Sequence, residues 1–124
     1  MRLLVCGSRT WTDYRFLRRE IDYVVGVEFQ AEPFTLIEGD GPGADRMAAH
    51  LARRYGWDLE VYPADWQHDG RAAGPRRNAR MLRQGRPDLV LALVDKPLDQ
   101  SRGTADLVRR AYAQGVEVRV IQRR

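Results

Sequence analysis

Lysine is almost missing from this chain: of its 21 basic residues, Lys96 is the one lysine and the rest are arginines. There is one cysteine, there are two histidines, and no apolar run approaches the roughly 20 residues that a membrane-spanning helix needs. Each scarcity excludes something. A lone Cys6 cannot form an intramolecular disulfide and suits a reducing cytoplasm, which is the expected location. Inside an apolar strand, with no activating His or Asp close in sequence, Cys6 reads as a small core residue, not a nucleophile. His50 and His68 lack His or Cys partners at ligand spacing, so no metal site is expected, although a phosphorylated ligand can carry a divalent metal with it. The opening Met1-Arg2-Leu3-Leu4-Val5-Cys6-Gly7 is too short an apolar run for a signal peptide and lacks a cleavage pattern; it reads as a first strand.

What is present describes one globular domain over residues 1–124. Hydrophobic residues make up 44% and charged residues 31%, enough of the first to build a core and too balanced for disorder. The formal charge is +4. Arginine forks bind phosphates and carboxylates bidentately, but a coding bias explains the same excess, and no arginine run exceeds a pair. Nucleic acid is therefore permitted as a partner without being indicated, and no membrane is expected.

Short apolar runs at residues 3–6, 34–37, 59–62, 89–94 and 116–121 read as strands, the fourth as one covered on both faces. Between them lie helical patterns. The first is capped by Thr12 or Asp13, shows Tyr14, Leu17, Ile21, Val24 and Val25 on one face, and ends at Gly26, with Glu32-Pro33 closing a loop. The second buries Met47, Ala48, Leu51 and Tyr55 and ends at Gly56. Residues 63–71 read as a polar loop, in which Asp65, His68 and Asp69 are a solvated cluster before an acid/base one. The third helix starts at Gly74-Pro75 with proline at its first position, packs Ala79, Met81 and Leu82, and stops at Gly85-Arg86-Pro87. The fourth starts at Gly103-Thr104, with Thr104 as its cap, carries Leu107, Val108, Ala111 and Tyr112 as an apolar stripe, and ends at Gly115. Such a β-α-β-α-β-α-β-α-β order predicts an α/β fold with a parallel sheet and helices on both faces.

In sheets of that kind ligands sit at the carboxyl ends of the strands. Four distinctive turns fall there: Gly7-Ser8-Arg9, Gly39 to Asp45, Gly74 to Asn78, and Arg102-Gly103-Thr104. The second is not a phosphate-binding P-loop, because the lysine and hydroxyl of that motif are absent. It is not the dinucleotide fingerprint either, since its glycines are spaced G-x-G-x-G and follow the second strand.

The blocks Leu4-Val5-Cys6-Gly7-Ser8-Arg9-Thr10-Trp11-Thr12-Asp13, Gly39-x-x-x-Gly43-Ala44-Asp45, Ala64-Asp65-Trp66, Ala73-Gly74-Pro75-x-Arg77-Asn78-x-x-Met81 and Arg102-Gly103-Thr104-Ala105 resemble the YspA-type branch of the SLOG superfamily, which includes the DprA/Smf and LOG proteins. The resemblance spans nearly the whole chain. It implies a single Rossmann-like three-layer domain, a five-stranded mainly parallel sheet of order 3-2-1-4-5, and binding of a nucleotide or nucleotide-derived ligand. Three positions depart from the pattern. Asp40 stands where a second glycine is usual, and Gln100-Ser101 stand where glycines are common. Leu107 occupies the place of the glutamate that serves glycosidic chemistry in LOG-type enzymes, with Asp106 one residue out of register.

The expected ligand contacts are Gly7, Ser8, Arg9, Trp11, Gly39, Gly43, Asp45, Arg77, Asn78, Arg102, Gly103 and Thr104. Asp45, in the first turn of a helix, can accept from ribose hydroxyls, orient an arginine, or simply cap the helix. Arg77 and Asn78 at another helix start offer a fork and an amide, or a surface arginine and a backbone-bonding side chain. Trp11 and Trp66 stack on a base or pack over the core, while Trp57 reads as structural. Three functions remain open: a nucleotide-binding or sensing module; a hydrolase of a nucleotide-type glycosidic or phosphoester bond, with Asp45 and Asp106 as the weak catalytic candidates; and a DNA-binding module. The open edges of so small a sheet suggest a homo-oligomer.

Overall fold

The computed structural model describes residues 1–29 and 33–123. Strand β1 (Arg2–Gly7) leads to α1 (Tyr14–Tyr23), β2 (Thr35–Glu38), α2 (Ala44–Tyr55), β3 (Asp58–Val61), the short α3 (Trp66–Asp69), α4 (Ala73–Gly85), β4 (Leu89–Val94), α5 (Arg102–Ala113) and β5 (Glu117–Gln122). All pairings are parallel, and the strand order is β3-β2-β1-β4-β5. This is the expected α/β three-layer architecture and the expected order.

The alternation of side chains along β1 builds both faces of the core. Leu3 and Val5 pack with Leu17 and Ile21 of α1 and Ala48 and Leu51 of α2. Leu4 and Cys6 point the other way, onto Met81 and Leu82 of α4 and Leu107, Val108 and Ala111 of α5. Strand β4 lies between β1 and β5 and is buried at all six positions. That accounts for its unbroken apolar run, since each such side chain is worth roughly 1.5–3 kcal/mol when removed from water.

Several local expectations need correcting. Asp13, not Thr12, caps α1, accepting from the Phe16 amide at 3.0 Å. Gly26 does not end that helix. The chain continues through it as a π-helical segment, Val24–Phe29, because Val24 is buried in the core and Val25 packs beside it. Glu32, expected in the closing loop, lies outside the described residues. Residues 63–71 are not all loop: Asp65 accepts from the His68 amide and starts α3, and a 3-10 turn, Gly70–Ala72, runs into α4. Helix α4 therefore begins at Ala73, and Pro75 is its third residue, still within the turn whose N–H groups have no helical acceptor. The cap position of α5 is Ser101, not Thr104. Tyr112 is 62% exposed, because α5 lies over β4 and the edge strand β5 and its buried stripe ends at Ala111. Tyr55 likewise stands out from the buried face of α2.

Candidate functional site

The sheet order changes direction between β1 and β4, and a cleft of about 990 Å³ opens there at the carboxyl ends of the strands. All four sequence-marked turns line it. Two glycines let the walls close up. A Cβ on Gly7 would lie 2.0 Å from the Leu93 carbonyl oxygen, and one on Gly43, where φ is +79°, would lie 2.2 Å from the Ser8 carbonyl oxygen. The start of α2 thereby presses onto the turn after β1, and the Ala44 amide donates to the Ser8 carbonyl at 3.3 Å. Ser8 is buried; its amide donates to Leu93 O at 3.0 Å, its Oγ accepts from the Asp95 amide at 3.1 Å and faces Ser101 Oγ at 3.5 Å.

The second turn is held by three side chains. The Glu38 carboxylate accepts from the Asp40 amide, Asp45 Oδ2 accepts from the Gly41 amide at 3.1 Å, and the Arg77 guanidinium donates to the Gly39 carbonyl. Asp40 adopts φ +61°, a left-handed conformation that aspartate tolerates better than most residues, which explains how it replaces a glycine. Its side chain turns outward to Arg46, whose Nε donates to Oδ1 at 3.4 Å, so an arginine offsets this charge. Asp45 is 9% exposed. Burial pushes its carboxyl up to about 6, against the opposing pull of the Gly41 amide and the Arg77 charge.

Glu38 is a residue that the strand pattern should have exposed to view. It ends β2 on the same face as Leu36, is almost fully buried, and burial pushes its carboxyl up to about 7, with Asp45 and Asp40 adding to the rise and the Asp40 amide opposing it. An acid placed where alternation demands an inward side chain was the available signal.

On the opposite wall Asn78 is buried and fully used. Its amide nitrogen donates to the Gly103 carbonyl at 3.1 Å and to Asp106 Oδ2 at 3.0 Å, and its oxygen accepts from Arg77 Nε at 2.9 Å. Asp106 also accepts from Arg109 at 2.9 Å and Arg110 at 2.8 Å. Its carboxylate is thus committed to three donors within the protein. Leu107 is buried and lines the cleft, so an apolar surface stands where LOG-type enzymes carry their acid. Arg102, Gly103 and Thr104 form the first turn of α5, which opens on the cleft with amides that have no carbonyl four residues back to bond.

Of the expected contacts, the cleft lining includes Gly7, Ser8, Arg9, Gly39, Asp45, Arg77, Asn78, Arg102, Gly103 and Thr104. Gly43 stands behind it as the hinge of α2. Trp11 is not brought to the cleft. It is 3% exposed, donates from Nε1 to Asp13 O at 3.0 Å, packs on Phe16, and borders a separate hollow of about 440 Å³ with Tyr14 and His50. Trp66, in contrast, is 52% exposed at the cleft mouth. The lining further includes Arg46, Arg71 and Lys96, for six cations in all against the carboxylates of Asp40, Asp45 and Asp106. Such an excess favours an anionic ligand. Among the described residues, no three His, Cys, Asp or Glu side chains converge as metal ligands, and no helix is long and apolar enough to cross a membrane.

Comparison with known proteins agrees with the arrangement of turns. The "Gene 61 protein" of Mycobacterium phage D29 is 35% identical, over 94% of this chain and 93% of its own length. A model of the YspA, cpYpsA-related SLOG family matches residues 1–68, which carry the turns after β1 and β2 and the Ala64-Asp65-Trp66 block. With more than half of the chain matched by that model and nearly all of it by a relative, the chain belongs to the YspA, cpYpsA-related SLOG family.

Proposed function

We propose that the cleft binds a nucleotide or nucleotide-derived molecule, holding its hydroxyl groups at Asp45 and its phosphate at the start of α5. One observation carries this reading: the two walls differ in what they leave available. The amides of Asp40 and Gly41 are already taken by Glu38 and Asp45, so the glycine turn after β2 offers a carboxylate rather than an anion hole. The first turn of α5 presents amides and a helix dipole, with Arg102, Lys96 and Arg9 around the same cleft. A molecule with hydroxyls at one end and a phosphate at the other complements both walls.

Titration calorimetry with nucleosides and their mono- and diphosphates tests this. The phosphorylated members bind more tightly, and Arg102→Ala weakens them by about tenfold, the loss of one charge-assisted contact. Equal affinity for nucleoside and nucleotide refutes the placement. A hydrolase is the second reading, supported by the proton that Asp45 holds to about pH 6 inside the cleft. Product release from the same panel, abolished by Asp45→Asn, supports it; binding without turnover supports the sensor.

A further inference from the structure

Helix α4 carries Arg76, Arg77, Arg80 and Arg83 and no acidic residue. Arg77 turns to the cleft. The other three fall at i, i+4 and i+7, opposite the buried Asn78, Met81, Leu82 and Gly85, so they form one outward stripe about 10 Å long at 1.5 Å per residue. Like charges at such spacing cost helix stability, and α4 has no acid of its own to offset them. Arg76 meets Asp69 of α3 at 2.8 Å, and Arg80 donates to the Pro63 carbonyl at 3.0 Å with its guanidinium 6.0 Å from the Tyr62 ring; both remain cations on the surface. None of the three lines the cleft, but Arg76, at one end of the stripe, follows Gly74 and Pro75, which do. Asp69 lies in α3 three residues after Trp66, and Trp66 packs near Gly74 of α4. An exposed tryptophan and three arginines that share one acidic partner, Asp69, are separate local costs, and here they adjoin.

We propose that this face binds a single-stranded phosphodiester chain, its backbone tracking Arg76, Arg80 and Arg83 and a base stacking on Trp66 at the mouth of the cleft. Cation rows beside aromatic platforms are how unpaired strands are held without sequence readout. The chemistry is common to RNA and DNA. It goes beyond the reading above, in which the cleft takes a free nucleotide.

The test is fluorescence anisotropy of labelled 12-mer single-stranded RNA and DNA, measured over a salt series, with the full chain. The variants are Arg76→Gln/Arg80→Gln/Arg83→Gln, which keeps the stems and the helix, and Trp66→Ala. The wild type binds one or both oligonucleotides at low salt. Removing three phosphate contacts makes the slope of log affinity against log salt shallower by about 2. Loss of the stacking platform weakens binding about tenfold. Calorimetric binding of a mononucleotide is unchanged in the triple variant, which separates this face from the cleft. No oligonucleotide binding at low salt, an unchanged slope in the triple variant, or equal binding of polyglutamate overturns the proposal, whatever the cleft does. Tighter binding of RNA than DNA assigns a role to the 2′-hydroxyl; the reverse identifies the chain as DNA.

Discussion

Replacing Asp45 by asparagine changes the pH dependence of stability in a direction that the structure dictates. In the unfolded chain this carboxyl titrates at its ordinary value of 3.8, and in the folded protein burial raises it to about 6. Between those values the folded state holds a proton that the unfolded state has released. Folding stability contributed by that proton is complete below pH 3.8 and is lost as pH rises to and beyond 6. At 1.36 kcal/mol per pH unit, the difference amounts to about 3 kcal/mol by pH 8. Asparagine keeps an acceptor for the Gly41 amide and does not titrate. The stability of Asp45→Asn relative to wild type therefore rises by about 2 kcal/mol between pH 4 and pH 8, the remainder having been lost below pH 4. Glu38 remains in the variant, so both proteins still lose stability as pH climbs through 7, the variant less steeply. Urea unfolding followed by tryptophan fluorescence, in half-unit pH steps at constant ionic strength, measures this. A difference that stays flat from pH 4 to 8, or that moves against the variant, refutes the buried, proton-holding Asp45.

Two further changes test the walls of the cleft. Gly43→Ala drives a methyl into the Ser8 carbonyl at a positive φ and costs more than about 2 kcal/mol, whereas Gly115→Ala, at φ +75° in open space, costs about 1 kcal/mol; thermal unfolding of the pair separates clash from backbone strain. Asn78→Ala leaves the Gly103 carbonyl, Asp106 and Arg77 without a shared buried partner and destabilises by about 2 kcal/mol or more, and a loss below about 0.5 kcal/mol would show that water replaces it freely.

Much of this protein was legible in the order of its residues, because strands and helices here are set by local pattern. The unbroken run at residues 89–94 announces a strand covered on both faces, and β4 is buried throughout. Gly56 ends α2 in the left-handed conformation that glycine allows. Local signals misled for two reasons: a tertiary contact, burial of Val24, carried the chain past Gly26, and an unforeseen local 3-10 turn after α3 started α4 ahead of its proline.

The candidate site divides in the same way. Glycine turns at strand ends mark the rim from sequence alone, since parallel topology sends every such turn to one side. What those turns offer a ligand depends on contacts between residues far apart in the chain. Only the fold brings Arg77 to the Gly39 carbonyl and Asn78 to Asp106, commits the glycine-loop amides to Glu38 and Asp45, and turns Trp11 inward while leaving Trp66 at the mouth. The sequence by itself determined the fold class and the rim, through periodicity and turn chemistry. The tertiary structure decided which polar groups are spent and which remain, because burial and hydrogen bonding are properties of neighbours in space.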